Sequence, residues 1–179
     1  MIINIVLFIV MILTGMVLIN YNRFIRTNNK VKETESQIDI LLKKRFDLLP
    51  NLIECVKGYT KHENETLTDL TKMRSNYDKS DFSIDETEKI DKKFGKILAI
   101  AEAYPDLKAS EQFLNLQDNL LKIEDELNES RLYYNRIVTH YNNLVEVIPS
   151  NIVAKMFSFE KKELFKVDDA NKENVKVEL

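Results

Sequence analysis

The chain is poor in the residues that build loops and reactive sites. Its 179 residues include three glycines, three prolines, two histidines, one cysteine and no tryptophan. A lone Cys55 excludes an intramolecular disulfide framework and any multi-cysteine metal site. Following an apolar run, it reads as a small buried filler. With so few glycines there is no Gly-rich phosphate loop and no nucleophile elbow. The segment "HENET" at 62–66 carries Thr66 where a zinc-binding HExxH needs its second imidazole, and nothing beside His140 offers a third ligand. A net charge of -3 supplies no concentrated basic face, so nucleic acid is not an expected partner. Neither a cofactor nor a catalytic residue is expected.

What the sequence does have is charge, at 31%, mixed with 44% apolar residues, the composition of long amphipathic helices. It also has one uncharged run, "IINIVLFIVMILTGMVLI", from Ile2 to Ile19, in which 13 of 18 residues are Ile, Leu, Val or Phe. At roughly -0.3 to -0.6 kcal/mol each, these favour insertion into a bilayer by about 4–8 kcal/mol. As a helix the run is about 27 Å long, close to the ~30 Å of hydrocarbon to be crossed. A cleaved signal peptide is disfavoured, because no basic residue precedes the run and no A-x-A site follows it. "LTGM" at 13–16 has the outline of a lipoprotein box but places Met16 where the acylated cysteine must be. Arg23, Arg26, Lys30 and Lys32 follow the run and no Lys or Arg precedes it, so the positive-inside rule puts the N-terminus outside and the bulk of the chain in the cytoplasm.

The remainder divides into a bundle over 21–148, a short amphipathic segment over 149–166 and a polar tail over 167–179, after an anchor over 1–20. Counting by sevens from Phe113 gives Leu120, Leu127, Tyr134, Tyr141 and Ile148, and from Leu116 gives Ile123, Ser130, Ile137 and Leu144. All but Ser130 are apolar, so one helix is expected from about Ser110 until Pro149 stops it. Tyr134 and Tyr141 then face inward, and Asn135, Asn142 or another helix can supply partners to their hydroxyls. Tyr133, Val138, Val145 and Val147 widen the apolar face, which requires cover on several sides, as in a bundle. A second helix is expected to start at Ser83, where Glu86 completes a capping box, and to present Ile90, Phe94, Ile97, Ala101 and Tyr104 until Pro105. Upstream, Ile38, Arg45, Leu52, Tyr59, Thr66 and Met73 fall at sevens, as do Leu42, Leu49, Val56, Glu63, Leu70 and Tyr77. The phase is unbroken at Pro50, which suits a kinked helix. A turn there gives instead two helices and a four-helix up-and-down bundle, which packs better against the later helices and is the arrangement expected. The fold class is therefore all-α, an N-terminal transmembrane helix followed by an antiparallel bundle.

Arg45 and Glu63 are the charged positions on these seams, and a buried charge needs a partner. With Tyr134 and Tyr141 they form the polar seam that an enzyme or small-ligand sensor would use. The alternative is an internal network that fixes register. After Pro149, Ile152, Val153, Met156, Phe157, Phe159, Leu164 and Phe165 need cover, from the bundle, a partner or the lipid surface; Ile152, Met156, Phe157, Phe159 and Phe165 are the candidate contacts, with Lys155, Lys161 and Lys162 facing anionic headgroups in the last case. Self-assembly through the 113–148 stripe is a further possibility only if the bundle is incomplete as a monomer.

Four blocks carry a resemblance. "YNRFIRTNNKV", "QIDILLKKRFDLLPNLIECVKGYTKHE", "AEAYPDLKASEQFLNLQDNL" and "YYNRIVTHYNNLVEVIPSNIVAKMFSF" together resemble the LemA family of bacterial membrane proteins, in the family's order. The resemblance implies a single N-terminal membrane helix and a cytosolic up-and-down four-helix body. It carries over no catalytic residues. The matching positions Arg45, Asp47, Pro50, Glu63, Tyr104, Pro105, Tyr134, Asn135, Tyr141 and Asn142 look structural or interface-forming. The expected role is that of an adaptor or scaffold, without catalysis, with the lipid bilayer and other membrane proteins as partners.

Overall fold

A computed structural model describes residues 1–57, 72, 77, 83–102 and 104–165. The fold is all-α, with no strand among these residues. The elements are α1 (Ile2–Asp47), α2 (Leu49–Lys57), α3 (Ile84–Glu102), α4 (Pro105–Lys108), α5 (Glu111–Glu146) and α6 (Ser150–Met156). The chain falls into two compact units, one of Met1–Asn28 with Asn135–Leu179, the other of Asn29–Tyr134.

The turn expected at Pro50 is not formed: the chain continues through it as a kinked helix. Only Leu48 leaves the helix, its N–H tightening onto the Arg45 carbonyl, and the Leu52 N–H then returns to the Leu48 carbonyl at 3.0 Å. The proline ring removes one main-chain donor and crowds the preceding turn, which accounts for a break of one residue and no more. Ile38, Leu42, Arg45, Leu49, Leu52 and Val56 stay buried on one side through the kink. The same side of α1 is already buried upstream at Asn20, Phe24, Thr27, Val31 and Thr34. The apolar pattern hides this extension because threonine and asparagine occupy seam positions. Thr34 is tolerated there since its hydroxyl bonds the Lys30 carbonyl at 2.9 Å.

In the larger unit, α1 and α5 run antiparallel. Arg45 meets Glu124, while Gln37 and Leu41 share an open groove of about 300 Å³ with Glu126 and Ser130. Phe46 packs on Phe94 of α3, and Ile90 and Phe94 are buried on one face of that helix. α3 starts directly after Ser83, whose carbonyl accepts both the N–H and the hydroxyl of Thr87. The turn-like "PDLKAS" is a single helical turn, started by Pro105 and pinned by a fully buried Leu107.

Along α5 the heptad stripe is buried at Phe113, Leu116, Leu120, Leu127, Tyr134, Ile137, Tyr141 and Leu144. Ile123 and Ser130 are half-buried. Ile148 departs from the expectation: it is 76% exposed. The helix ends at Glu146, two residues before the stripe does. The backbone ahead of a proline avoids the helical region, so Pro149 releases Ile148 from the seam. The seam positions Tyr59, Glu63, Thr66, Leu70 and Met73 lie outside the described residues, as does the "HENET" segment.

Candidate functional site

Every Ile, Leu, Val, Phe and Met from Ile2 to Leu13 is at least half exposed, and this helix is long and apolar enough to cross a membrane. Thr14 returns its hydroxyl to the Val10 carbonyl at 2.8 Å, so the run presents no unsatisfied hydroxyl at that point. Partial cover begins at residues 15–17. Val17 and Tyr21 pack against a cluster formed by Phe24, Tyr141, Leu144, Val153 and Ala154, joined by Val145 and Phe159. Phe24 stacks on Phe159 at 4.6 Å and meets the edge of Tyr141 at 5.7 Å. Tyr21 contacts Phe157 at 4.7 Å. Helices α1, α5 and α6 thus share one aromatic core at the end of the apolar run.

Beyond α6 the chain turns through Ser158, at φ 55°, and the Phe159 N–H bonds the Ala154 carbonyl. It is then held by two side-chain amides of α5. Asn142 accepts from the Lys162 N–H and donates to the Lys162 carbonyl, both at 2.9 Å. Asn135 makes the same pair of bonds with Phe165, also at 2.9 Å. The geometry explains the spacing of the asparagines. Seven helical residues advance about 10.5 Å, and three residues of extended chain about 10 Å. Two amides a heptad apart therefore grip main-chain positions three apart, as neighbouring strands would, on a strap running antiparallel to α5. Lys162 also lies over the Tyr141 ring at 5.8 Å, and Lys161 pairs with Glu146. Burial raises the Tyr141 phenol above its ordinary pKa.

The larger unit contains a neutral quartet. Arg45 pairs with Asp91 and Glu124, each at 2.8 Å, and Arg131 reaches Asp91 at 2.8 Å. The Arg45 guanidinium lies over Phe94 at 4.4 Å. Two cations against two carboxylates satisfy the charge that the seam buries. Nearby, the Tyr77 hydroxyl donates to Asp39 at 2.7 Å, and burial together with that bond pushes its pKa strongly upward.

Of the polar seam positions, Arg45, Tyr134 and Tyr141 are buried, at 5%, 3% and 3% exposure. Glu63 lies outside the described residues. Of the apolar set, Ile152, Met156 and Phe157 are exposed, Phe157 while touching Tyr21. Phe159 and Phe165, grouped with them on sequence, pack inward instead, because the Asn135 and Asn142 clamps turn the strap onto α5. Sequence reasoning missed Asp91 and Glu124 as partners of Arg45, and Arg131 as the second cation that they hold. It also missed the strap, although the repeated Tyr-Asn pair was its signal. The asparagine amides hold the main chain of Lys162 and Phe165.

These features define a helical bundle carried on a long apolar N-terminal helix, its buried arginine quenched by carboxylates. Residues 34–179 match the model of the LemA family, and the chain belongs to that family. It is similar to Protein LemA of Metamycoplasma hominis, with 28% identity over 160 residues, covering 86% of this chain and 72% of the relative.

Proposed function

We propose that the protein is a membrane-anchored, non-catalytic adaptor whose bundle presents the outer face of α5 to a partner protein. The apolar run holds it in the bilayer, and Arg23, Arg26, Lys30 and Lys32 keep the body in the cytoplasm. One observation carries the reading. Leu114, Leu121 and Leu132 are 49%, 52% and 65% exposed. Their separations of seven and eleven residues return them to within about 20° of one azimuth on a helix. They make a row about 27 Å long, far from the buried seam, with exposed Asp118 and Asp125 interleaved. Single exposed leucines are ordinary, but an aligned row on a bundle that needs no further cover there is the kind of surface a partner helix covers. The interleaved carboxylates favour a partner with apolar and basic residues. Pairing within the quartet also argues against a reactive role for Arg45.

The test is the pair Leu114→Asp and Leu121→Asp in the full chain, compared in gently solubilised membranes. Expected is loss of a defined co-migrating protein at unchanged thermal stability. Retention of that protein, or the absence of any defined one from the unsubstituted chain, contradicts the adaptor reading.

A further inference from the structure

We infer that α6 is seated at the membrane surface, its outer residues Ile152 and Met156, together with Ile148 in the link just before it, buried in the boundary between headgroups and acyl chains. The inference rests on the anchoring reading above and adds a second lipid contact to it.

Depth is fixed by packing. α6 contributes Val153 and Ala154 to the cluster against which Val17 and Tyr21 pack. Val17 lies within the apolar run, two residues and about 3 Å of helix axis before its end at Ile19. Tyr21 lies just beyond that end, where amphipathic rings collect at membrane interfaces. The seven residues of α6 span about 10 Å, so none of it is far from this level.

Composition points the same way. One side of α6 is consumed by the cluster, with Ser150, Val153 and Ala154 buried. The other side carries exposed apolar residues: Ile152 and Met156, four apart on the helix, are 51% and 62% exposed, and Ile148, in the link that precedes α6, is 76% exposed. A short helix that is apolar on both faces is suited to water on neither. Lys155 is exposed on the same element and can extend its ammonium to lipid phosphate. Val147, at 58%, extends the patch, whereas Phe159 is packed into the cluster and Phe165 is buried. The occupant is therefore the leaflet through which the helix passes.

The chain has no tryptophan, so one introduced indole reports its own surroundings. Ile152→Trp and Met156→Trp, each in the full chain, are reconstituted into phosphatidylcholine–phosphatidylglycerol vesicles with lipids brominated near the headgroup end of the acyl chain. Phe8→Trp, inside the run, and Asn115→Trp, exposed on α5, are the references. The expected result is blue-shifted emission from positions 152 and 156, quenched about twofold by the shallow bromines. Phe8→Trp is then quenched by deeply brominated lipid and Asn115→Trp by neither. If 152 and 156 behave like 115, α6 faces water and the inference is overturned while anchoring stands. Blue emission without bromine quenching means that protein covers the face, which also overturns it. If Phe8→Trp escapes quenching, anchoring itself fails and the inference falls with it.

Discussion

At the scale of single residues, the polar seam separates into two kinds of group. Arg45 is held by two carboxylates and a ring, so its removal leaves Asp91 and Glu124 sharing Arg131. Since Asp91 and Glu124 keep contact with water, Arg45→Met is expected to cost about 2–3 kcal/mol, below the usual range for a fully buried pair. Urea unfolding of the detergent-solubilised chain measures this; an unchanged midpoint would show the quartet to be inessential. The tyrosines set the alkaline limit. Tyr77 and Tyr141 both titrate above the ordinary tyrosine value of 10.0. The folded chain therefore keeps protons that the unfolded chain releases. That stability is fully present below the unfolded value and declines as pH rises beyond it. Tyrosinate absorbance should show Tyr77 and Tyr141 ionising only as helicity is lost, while titration of all seven tyrosines in one early step would contradict their burial. Arg45 was legible as a charge in need of partners, because it interrupts an apolar heptad. Its partners were not, since Asp91 and Glu124, like the Arg131 that completes the quartet, look like any other surface charge on an amphipathic helix.

At the scale of elements, helices were legible and their ends less so. The stripe from Phe113 to Leu144 is read from side-chain period alone, because a heptad repeat has a single way to face a neighbour. Pro50 was ambiguous since a kink and a turn both preserve that phase, and only the main-chain bond from Leu52 to Leu48 decides. The strap was invisible for another reason: an amide gripping main chain leaves no periodic trace in the residues it grips. Asn142→Ala is expected to remove both bonds to Lys162 and to loosen the strap by about 1–3 kcal/mol. Limited trypsin cleavage after Lys161 and Lys162 should accelerate roughly tenfold or more by the same energy, with helix content unchanged. Asn142→Asp keeps an acceptor for the Lys162 N–H but loses the donor, so it should resemble the alanine variant. Cleavage at the unsubstituted rate in both would mean that Phe159 and Phe165 hold the strap without the amides.

At the scale of the whole molecule, the sequence announced its class through one uncharged run and a set of heptads; the run is a helix long enough to cross a membrane, and the heptads lie within the residues that match the LemA family. Phe24 illustrates the cost of the shared aromatic core. It is fully buried, stacked on Phe159 and set against Tyr141. Phe24→Ala should therefore destabilise by about 3–5 kcal/mol, seen as a lower midpoint in detergent. The outer face of α5 was not read in advance, because a row of three leucines eleven and seven residues apart is easily lost among polar neighbours. It is now the surface on which the adaptor reading stands. The direct measurement is a photo-crosslinker scan along α5 in intact membranes. The account predicts one defined protein adduct from positions 114, 121 and 132, and none from Asn115, Asn119 or Glu126, exposed on another side. Adducts that ignore this azimuth, or that contain only lipid, would contradict it.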